Sequence, residues 1–160
     1  MSANRKNSNT PNPILNRRAK FDYELLDEIV AGISLTGPEV RAARDGHAQL
    51  KGSYVTIRSG ELWLNNASFS LKLNTKGDSH NRTVDTSPRK LLASRKQIDA
   101  LEAKKTGGMS IVPTKLLTQG RYIKLAIALG KGKKNYDKRE TIKRRETERD
   151  TMRAIKMRGI

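Results

Sequence analysis

The sequence predicts a mainly β fold, namely a small antiparallel barrel with two to three short helices and a basic C-terminal tail. Short runs in which apolar and polar residues alternate are typical of strands that bury one face, and glycines separate these runs. Only 35% of the 160 residues are hydrophobic, which is low for a chain packed from end to end. We therefore predict a folded domain at 14–130, between a disordered basic N-terminal arm at 1–13 and a tail at 131–160.

The first elements follow from local patterns. The N-terminal arm is rich in Ser, Asn and Pro, so it buries too little apolar surface to offset the entropy of ordering. Residues 23–35 then alternate as a first strand region. Thr36-Gly37-Pro38-Glu39 forms a capping box with proline in the first turn, which predicts a short helix from about Gly37 to Asp45, stopped by Gly46.

Residues 54–64 predict a β-hairpin with a two-residue turn at Ser59-Gly60. Such a turn pairs four apolar residues on the core face: Ile57 with Leu62, and Val55 with Leu64. Residues 70–88, rich in Asn, Ser and Thr, predict a polar loop. Ser94-Arg-Lys-Gln97 is a second capping box, and it predicts an amphipathic helix that ends near Gly107-Gly108.

A second hairpin follows, in which residues 122–129 alternate and Gln119-Gly120 supplies the turn. Pro113 predicts that the preceding strand is bulged or lies at a sheet edge, because proline has no N–H to donate. With a two-residue turn, Lys115 and Lys124 lie opposite each other on the outer face, where a bound phosphate would offset their repulsion. Two solvated lysines explain the same spacing equally well. Several short strands with two small helices are typical of an oligonucleotide-binding-type barrel.

The charge predicts a polyanionic partner, because 33 Lys and Arg side chains against 16 Asp and Glu leave a net charge of +17. No apolar run is long enough for a membrane span, so nucleic acid is favoured over membrane. The chain has no cysteine and two isolated histidines, and its acidic residues form no paired-carboxylate motif. We therefore expect no metal, no cofactor and no enzymatic activity, and a cytoplasmic protein.

The tail concentrates this charge, with 12 cations and five acids in residues 131–160. Gly130–Lys134 lacks the spacing of a phosphate-binding loop and predicts a flexible basic hinge that also contacts phosphates. Residues 137–160 favour a helix but contain few large apolar side chains, so we predict a tail that is disordered when free and helical on its RNA partner. Helical spacing would align four cations in one basic stripe: Arg145, Arg149, Arg153 and Lys156.

Eight ordered motifs connect the chain to a known family, and the most specific of them is Lys131-Gly-Lys-Lys-x-Tyr136-Asp-Lys-Arg139. The others are Asn16–Ala19, Ala31–Ile33 with Leu35–Gly37, Glu39-Val40, Ser53–Val55, Gly60-Glu61 with Trp63-Leu64, Arg89–Leu92 and Ile111–Pro113. Over roughly residues 14–156, the chain resembles the bacterial SsrA-binding protein family, also called small protein B.

This resemblance implies an RNA-binding adaptor. Members of the family bind the tRNA-like domain of transfer-messenger RNA and deliver it to stalled ribosomes for trans-translation, that is, ribosome rescue. The resemblance implies that the barrel holds the RNA while the tail occupies the decoding centre and the empty mRNA channel. It also implies that elongation factor Tu takes part indirectly, on the charged RNA, and that the protein is a monomer in the RNA complex.

The resemblance assigns candidate contacts residue by residue. For transfer-messenger RNA these are Asn16, Arg17, Arg18, Glu39, Lys90, Leu92 and Lys124. Further RNA-binding candidates are Tyr23, Arg41, Tyr54, Lys115, Tyr122, Lys131, Gly132, Lys133 and Lys134. The candidate contacts with the ribosomal decoding site are Tyr136, Asp137, Lys138 and Arg139. The alternative interpretation is a general RNA-binding or ribosome-associated barrel protein without selectivity for transfer-messenger RNA.

Overall fold

A computed structural model describes residues 12–72 and 82–158, and in this part of the chain it shows ten strands and four helices. The strands are β1 Ile14–Leu15, β2 Tyr23–Ile33, β3 Ala48–Gln49, β4 Tyr54–Arg58, β5 Glu61–Asn65, β6 Ser68–Lys72, β7 Arg82–Asp85, β8 Arg89–Leu92, β9 Met109–Leu117 and β10 Lys124–Gly132. The helices are α1 Arg17–Asp22, α2 Gly37–Arg44, α3 Arg95–Lys104 and α4 Asn135–Arg158.

Six strands close into an antiparallel barrel in the order β9-β10-β2-β8-β5-β4. The closing contact pairs Val55 of β4 with Ile111 of β9. Strand β1 adds to the outside of β9, and β3, β6 and β7 form a separate three-stranded sheet. The predicted antiparallel barrel with short helices is therefore confirmed, and closure leaves its six strands without free edges.

The first hairpin has the predicted register, in which Ile57 pairs with Leu62 and Val55 pairs with Leu64. Ser59 and Gly60 both adopt positive φ, at 50° and 73°, as a two-residue turn that matches the twist of the strands requires. Leu62 and Leu64 are fully buried in the barrel core. Local turn chemistry and alternation were therefore sufficient to predict this element.

Both predicted capping boxes are present. In α2, the backbone N–H of Thr36 donates to Oε2 of Glu39 at 2.7 Å. In α3, the N–H of Gln97 donates to Oγ of Ser94, while the N–H of Ser94 donates to Oε1 of Gln97. Helix α1 was not predicted, because it has six residues and buries only Ala19, which leaves no apolar periodicity to detect.

The predicted two-residue turn of the second hairpin is wrong. Strand β9 ends at Leu117 and β10 begins at Lys124, so six residues connect them. The hydroxyl of Thr118 donates to the carbonyl of Asn12, and the side chain of Ile123 is buried in the core. Neither end of the connection therefore continues the pairing between β9 and β10. As a result Lys124 pairs with Leu117 and not with Lys115, and the predicted pair of facing lysines does not form.

The predicted loop at 70–88 is also partly wrong. Strand β6 continues through Lys72, and β7 pairs with it over Arg82–Asp85. Strand β7 escaped prediction because it is short and its Val84 is 62% exposed, so backbone hydrogen bonds and not a buried face define it. Residues 73–81 of the predicted loop lie outside the described residues, as do residues 1–11 of the predicted N-terminal arm.

Register shifts in β9 and β10 determine which of their side chains lie on the outer surface of the barrel. As one of the two predicted alternatives, β9 is bulged next to Pro113, where the register with β10 shifts between Ala126 and Ile127. The predicted alternation of residues 122–129 puts Ala126 and Ala128 on the outer face together with Lys124. Both are buried, because these small side chains lie between longer residues of β2 and β9. Strand β10 continues to Gly132, two residues beyond the predicted end of the folded domain at residue 130.

Candidate nucleic-acid interface

The predicted site residues fall mainly at the two ends of β10. Lys124 begins the strand and Gly132 ends it, so the two ends lie roughly 26 Å apart at about 3.3 Å per residue. We call the two regions the Lys124 end and the tail end. The structure therefore does not gather the candidates into one site.

A row of paired residues crosses the outer surface at the Lys124 end. Lys124 pairs with Gly32 of β2, and Gly32 in turn pairs with Leu92 of β8. A side chain at Gly32 would place its Cβ 3.2 Å from the Cβ of Leu92, so the glycine leaves a shallow depression in the surface between Lys124 and the exposed Leu92. At such a depression the backbone of a ligand can approach the sheet closely.

The next row adds a partly paired cation. Lys115 lies beside Ala126 and Val30, and its Nζ is 3.0 Å from Oε1 of Glu28. Val30 is 44% exposed and apolar, so the β2 position in this row contributes no charge to the surface. Lys124 has no carboxylate within ion-pair distance among the described residues. Its ammonium group is therefore available to a phosphate.

Lys90 extends the same face toward β5, where its Nζ contacts Oε1 of Glu61 at 2.5 Å. Both side chains are about two-fifths exposed, so this ion pair is screened by water and can exchange for a phosphate. Lys90 pairs with Trp63 in the ladder, next to Leu92 on β8. The sheet thus places Lys90 and Leu92 on β8 and Lys124 on β10, with β2 between the two strands.

The connection before β10 adds an aromatic residue at this end. Tyr122 is 68% exposed, and the guanidinium of Arg121 lies 5.4 Å from its ring centre. Nη2 of Arg44, at the end of α2, donates to the carbonyls of Gly120 and Arg121 at 3.2 Å each. Helix α2 therefore fixes the connection that presents Tyr122.

Glu39 lies in the protein interior. It is 6% exposed, and its Oε1 accepts a 2.9 Å hydrogen bond from Nε of Arg89. Arg89 is 4% exposed, stacks 4.2 Å from the ring centre of Phe69, and donates to the carbonyls of Ala67 and Ser87. This pair joins α2 to β8 of the barrel, and the contact of Arg89 with Phe69 reaches the three-stranded sheet. The other α2 candidate, Arg41, is exposed.

Asn16 has a similar internal role at the tail end. It is 7% exposed and its Oδ1 accepts the N–H of Ala19, which caps α1. Its Nδ2 donates to the carbonyls of Leu50 and Pro113, at 3.2 and 2.8 Å. Both amide protons are therefore used within the protein, and Asn16 holds α1 in place so that Arg17 and Arg18 are exposed.

Tyr23 and Tyr54 line one groove at the tail end. A Cβ on Gly130 would lie 2.9 Å from the Cβ of Tyr23, so only glycine lets Tyr23 lie against β10. Tyr54 is 48% exposed. Next to the groove, Lys131 and Gly132 are exposed and pair with Glu24 and Tyr23 of β2.

The start of the tail is held against α1. The N–H of Lys133 donates to the carbonyl of Asp22, and its Nζ donates to the carbonyl of Lys20. Nζ of Lys138 lies 3.4 Å from Oδ1 of Asp22, and the guanidinium of Arg145 lies 5.9 Å from the ring centre of Phe21. These contacts join helix α4 to the barrel.

Within the first turn of α4, Oδ2 of Asp137 accepts the N–H of Lys134 at 3.1 Å, which caps the helix. Tyr136 is 59% exposed and Arg139 is exposed, so both are available to a partner. Helix α4 includes the four residues of the predicted basic stripe, and all four are exposed: Arg145, Arg149, Arg153 and Lys156.

Sequence patterns missed two groups that organise the interface. Arg89 was assigned only as part of a motif, and its burial depends on Glu39, which is 50 residues away. Phe21 and Asp22 lie in the helix that was not predicted. A sign of their role was present, because Arg18, Phe21 and Asp22 have the i, i+3 and i+4 spacing at which helical side chains meet.

Among the described residues, two carboxyl groups have a pKa below the ordinary value for aspartate. A hydrogen bond from Lys104, helped by the positive charge of that side chain, lowers the pKa of Asp27. Hydrogen bonds from the hydroxyl and the N–H of Ser87 lower the pKa of Asp85, and the charge of Arg89 adds to this effect. Both groups stabilise contacts between elements and lie outside the two ends of β10.

Across residues 12–72 and 82–158, no helix combines the length and apolar content needed to cross a bilayer. In the same residues, no group of three or more His, Cys, Asp or Glu side chains could hold a metal ion.

Comparisons with known proteins agree over most of the chain. The family model described as "SmpB protein" matches residues 13–157. The SsrA-binding protein of Trichormus variabilis is 44% identical over 142 residues, which cover 88% of this chain and 90% of that protein. The SsrA-binding protein of Streptococcus thermophilus is 42% identical over 142 residues, with the same coverage of both chains.

A solved structure described as "tmRNA-SmpB: a journey to the center of the bacterial ribosome" is similar to this one, with a TM-score of 0.59 and 34% sequence identity. The match covers 77% of this chain and 85% of that chain. The similarity therefore extends to sequence as well as to fold.

Proposed function

Because the chain belongs to the SmpB protein family, we propose that it binds the tRNA-like domain of transfer-messenger RNA and delivers that RNA to stalled ribosomes for trans-translation. The observation that carries this proposal is the continuous family match over residues 13–157, which includes the barrel and helix α4. The relatives are named for binding SsrA RNA, and the similar structure is described as a complex with transfer-messenger RNA in the ribosome. An RNA-binding adaptor without enzymatic activity fits both descriptions.

The tRNA-like domain binds at the Lys124 end in this proposal. Lys124 on β10 and Lys90 and Leu92 on β8 lie on either side of Gly32 on β2, so cations and an apolar contact face one ligand. Lysines that neutralise phosphates supply most of the affinity for a folded RNA. Tyr122 adds an exposed ring for a base or ribose at the edge of this face.

The tail reaches the ribosomal decoding centre and the empty mRNA channel. Helix α4 has 24 residues and is about 36 Å long at 1.5 Å per residue. Tyr136 stacks on a ribosomal base, while Lys138 and Arg139 meet phosphates and Asp137 caps the helix. The stripe from Arg145 to Lys156 then follows the channel, where ribosomal RNA phosphates neutralise it.

Order in the tail depends on this partner. The large apolar side chains of α4 are exposed, with Met152 at 70% and Met157 at 82%, so no core holds its distal half. We propose that this half is disordered in the free protein and helical on the ribosome. Elongation factor Tu takes part only through the charged RNA, and the protein acts in the cytoplasm as a monomer in the RNA complex.

Partner selectivity tests the first half of the proposal. Purified protein should bind the tRNA-like domain of transfer-messenger RNA more tightly than elongator tRNA or duplex DNA at physiological salt. Replacing Lys124 with alanine should weaken that binding and flatten its salt dependence. Equal affinity for the three nucleic acids would overturn the proposal in favour of a general RNA-binding protein.

A triple substitution tests the second half. Replacing Asp137, Lys138 and Arg139 with alanine should spare binding of the tRNA-like domain and abolish peptide tagging on stalled ribosomes in a reconstituted translation system. A matched control replaces Lys143, Arg144 and Glu148, which lie further along α4 and also comprise two cations and one acid. Loss of RNA binding in the first variant, or equal loss of tagging in both, would contradict the division between barrel and tail.

A further inference from the structure

We propose that a pocket between helix α2 and the strands β6 and β7 binds a compact oligophosphate, such as pyrophosphate or the diphosphate of a nucleotide. The pocket has a volume of about 290 Å³, and we call it the α2 pocket. Its lining contains none of the residues to which the proposed function assigns the tRNA-like domain, namely Lys90, Leu92, Tyr122 and Lys124. The site therefore goes beyond that function.

Two cations of the α2 pocket face each other across the three-stranded sheet. Lys72 of β6 and Arg82 of β7 are direct partners in the antiparallel ladder, which places their Cβ atoms about 5 Å apart. Like charges in such positions repel each other and destabilise the strand pair. Within the described residues, neither cation has a carboxylate at ion-pair distance. A bound anion would offset the repulsion between them.

Helix α2 adds a third cation from the opposite wall. Arg41 is exposed and lines the pocket, as does Gly37 in the first turn of the helix, where the helix dipole favours an anion. Asp45 is the one carboxylate among the described lining residues, and it lies beyond ion-pair distance of all three cations. Three cations against one carboxylate leave the lining with a net charge of +2.

The donor groups of the pocket suit phosphate oxygens. Nη1 of Arg82 donates to the carbonyl of Ser70 at 3.4 Å, which restrains the guanidinium and leaves most of its five N–H groups for a ligand. A guanidinium can donate two parallel hydrogen bonds to one phosphate, while the ammonium of Lys72 adds a compact charge. A single phosphate carries at most about two charges at neutral pH, so three cations on three elements favour a ligand with two or more phosphates.

Size and composition favour a small molecule over an RNA strand. No aromatic side chain is among the described residues that line the pocket, so a base has no ring on which to stack. The volume is at the lower limit of the range of about 300–1,000 Å³ that is usual for small-ligand sites. A phosphate within an RNA strand has a ribose on each side, and both would have to enter with it. A terminal diphosphate can enter alone.

Calorimetric titration of the full chain with inorganic pyrophosphate tests the site, and we expect one pyrophosphate per chain. Replacing Lys72 and Arg82 together with glutamine should weaken binding by about tenfold or more, because charged hydrogen-bond donors are lost. The matched control replaces Arg58 and Lys96, two exposed cations outside the pocket, and should change the affinity by less than about twofold. Equal weakening by the control, or no binding to the unsubstituted chain, would overturn the proposal.

The stability of the free protein provides an independent readout. Because Lys72 and Arg82 repel each other without a ligand, Lys72→Gln should leave the urea midpoint of unfolding unchanged or raise it at low salt. The same substitution should reduce the increase in midpoint that pyrophosphate causes in the unsubstituted chain. A purely structural role for Lys72 predicts a lower midpoint without the ligand, and that result would contradict the proposed site.

Two competitors identify the source of the phosphates. Displacement of pyrophosphate by adenosine diphosphate at a similar concentration would assign the site to nucleotides, whereas weaker displacement would assign it to inorganic oligophosphates. Displacement by an equimolar amount of the tRNA-like domain would instead place the pocket in the RNA interface and overturn the proposal. The variant lacking Lys72 and Arg82 should bind that domain as the unsubstituted chain does. Failure of the phosphate site would therefore leave the proposed function intact.

Discussion

The barrel and helix α4 differ in how much of their apolar surface is buried. In the barrel, Leu62, Leu64 and Leu125 are fully buried, and every barrel strand pairs with neighbours on both sides. In α4, Met152 and Met157 are mostly exposed, and the contacts with the rest of the protein are confined to its first three turns. Burial thus determines the conformation of the barrel, whereas hydrogen bonds within the helix, and in our proposal a bound RNA, determine that of the tail.

The difference explains where the charge lies. Residues 131–160 carry 12 cations and five acids, an excess of +7 in a segment that has no core to disrupt. The barrel instead pairs several of its cations, as Lys115 does with Glu28 and Lys90 does with Glu61, and leaves Lys124 without a carboxylate partner among the described residues. A segment free of packing constraints can devote its surface to phosphates.

Replacing Arg89 with alanine should destabilise the barrel more than any other change considered. Glu39 would remain buried without a cation, and breaking a buried ion pair costs about 3–5 kcal/mol. Urea unfolding followed by Trp63 fluorescence measures the loss. Lys90→Ala is the matched control, because its pair with Glu61 is partly exposed and is worth less than about 1 kcal/mol. Equal losses would contradict the assigned role of Arg89.

Replacing Asn16 with alanine should lower the free energy of unfolding by about 2 kcal/mol, because α1 loses its cap and two buried carbonyls lose a donor. The exposed neighbour Arg17 provides the control, and Arg17→Ala should change stability by less than about 0.5 kcal/mol. If Asn16 served only to contact RNA, its replacement would leave the urea midpoint unchanged.

Replacing Ser87 with alanine should cause a smaller loss that depends on pH. The hydrogen bonds from Ser87 lower the pKa of Asp85, so they stabilise the folded state only when that carboxyl is ionised. The stabilisation is present above the ordinary pKa of aspartate and disappears as the pH falls through the lowered value. Unfolding at pH 6 should therefore separate the two proteins more than unfolding at pH 3. A difference that grows with acidity would refute this account.

Replacing Asp22 with asparagine should loosen the connection between barrel and tail while leaving barrel stability within about 1 kcal/mol. Lys138 loses its carboxylate partner, so amide hydrogens in the first two turns of α4 should exchange faster with solvent. Asp99→Asn serves as the control, because Asp99 pairs with Arg95 on the exposed surface of α3. Unchanged exchange in α4 would show that Asp22 does not hold the tail.

Replacing Met152 and Ile155 together should have the smallest effect, below about 0.5 kcal/mol, because both side chains are exposed. By contrast, Ile127→Ala in the barrel core should cost about 2–5 kcal/mol. Chemical denaturation of the two variants compares the regions directly. A measurable loss from the tail variant would reveal packing of α4 that the structure does not contain.

Sequence reasoning succeeded where structure is determined by neighbouring residues. The Ser59-Gly60 turn and the Ser94 capping box depend on a few adjacent side chains, and both were predicted with their partners. It failed where contacts between segments that are distant in the sequence determine the structure. The six-residue connection before Lys124 depends on Asn12 and on core packing of Ile123, and β7 exists only because β6 lies beside it.

The candidate site shows the same limit. The motif at 131–139 identified the family, since it is contiguous in sequence, and it supplied the tail residues as candidates. The internal roles of Asn16 and Glu39 were not predictable, because their partners Pro113 and Arg89 are 97 and 50 residues away. The groove that Tyr23 and Tyr54 line was not predictable for the same reason, since its walls come from three separate segments.

Strand β10 sets the distance between the Lys124 end and the tail end. It is bonded along its length to β2 on one side and β9 on the other, so neither end can slide relative to the other. An inserted residue that no new bulge absorbs would turn the side chains that follow it to the opposite face and change the direction in which the tail leaves the barrel. Bulges already shift the register of β10 against β9 and against β2, so the spacing from Lys124 to Gly132 can change by one residue only together with a bulge.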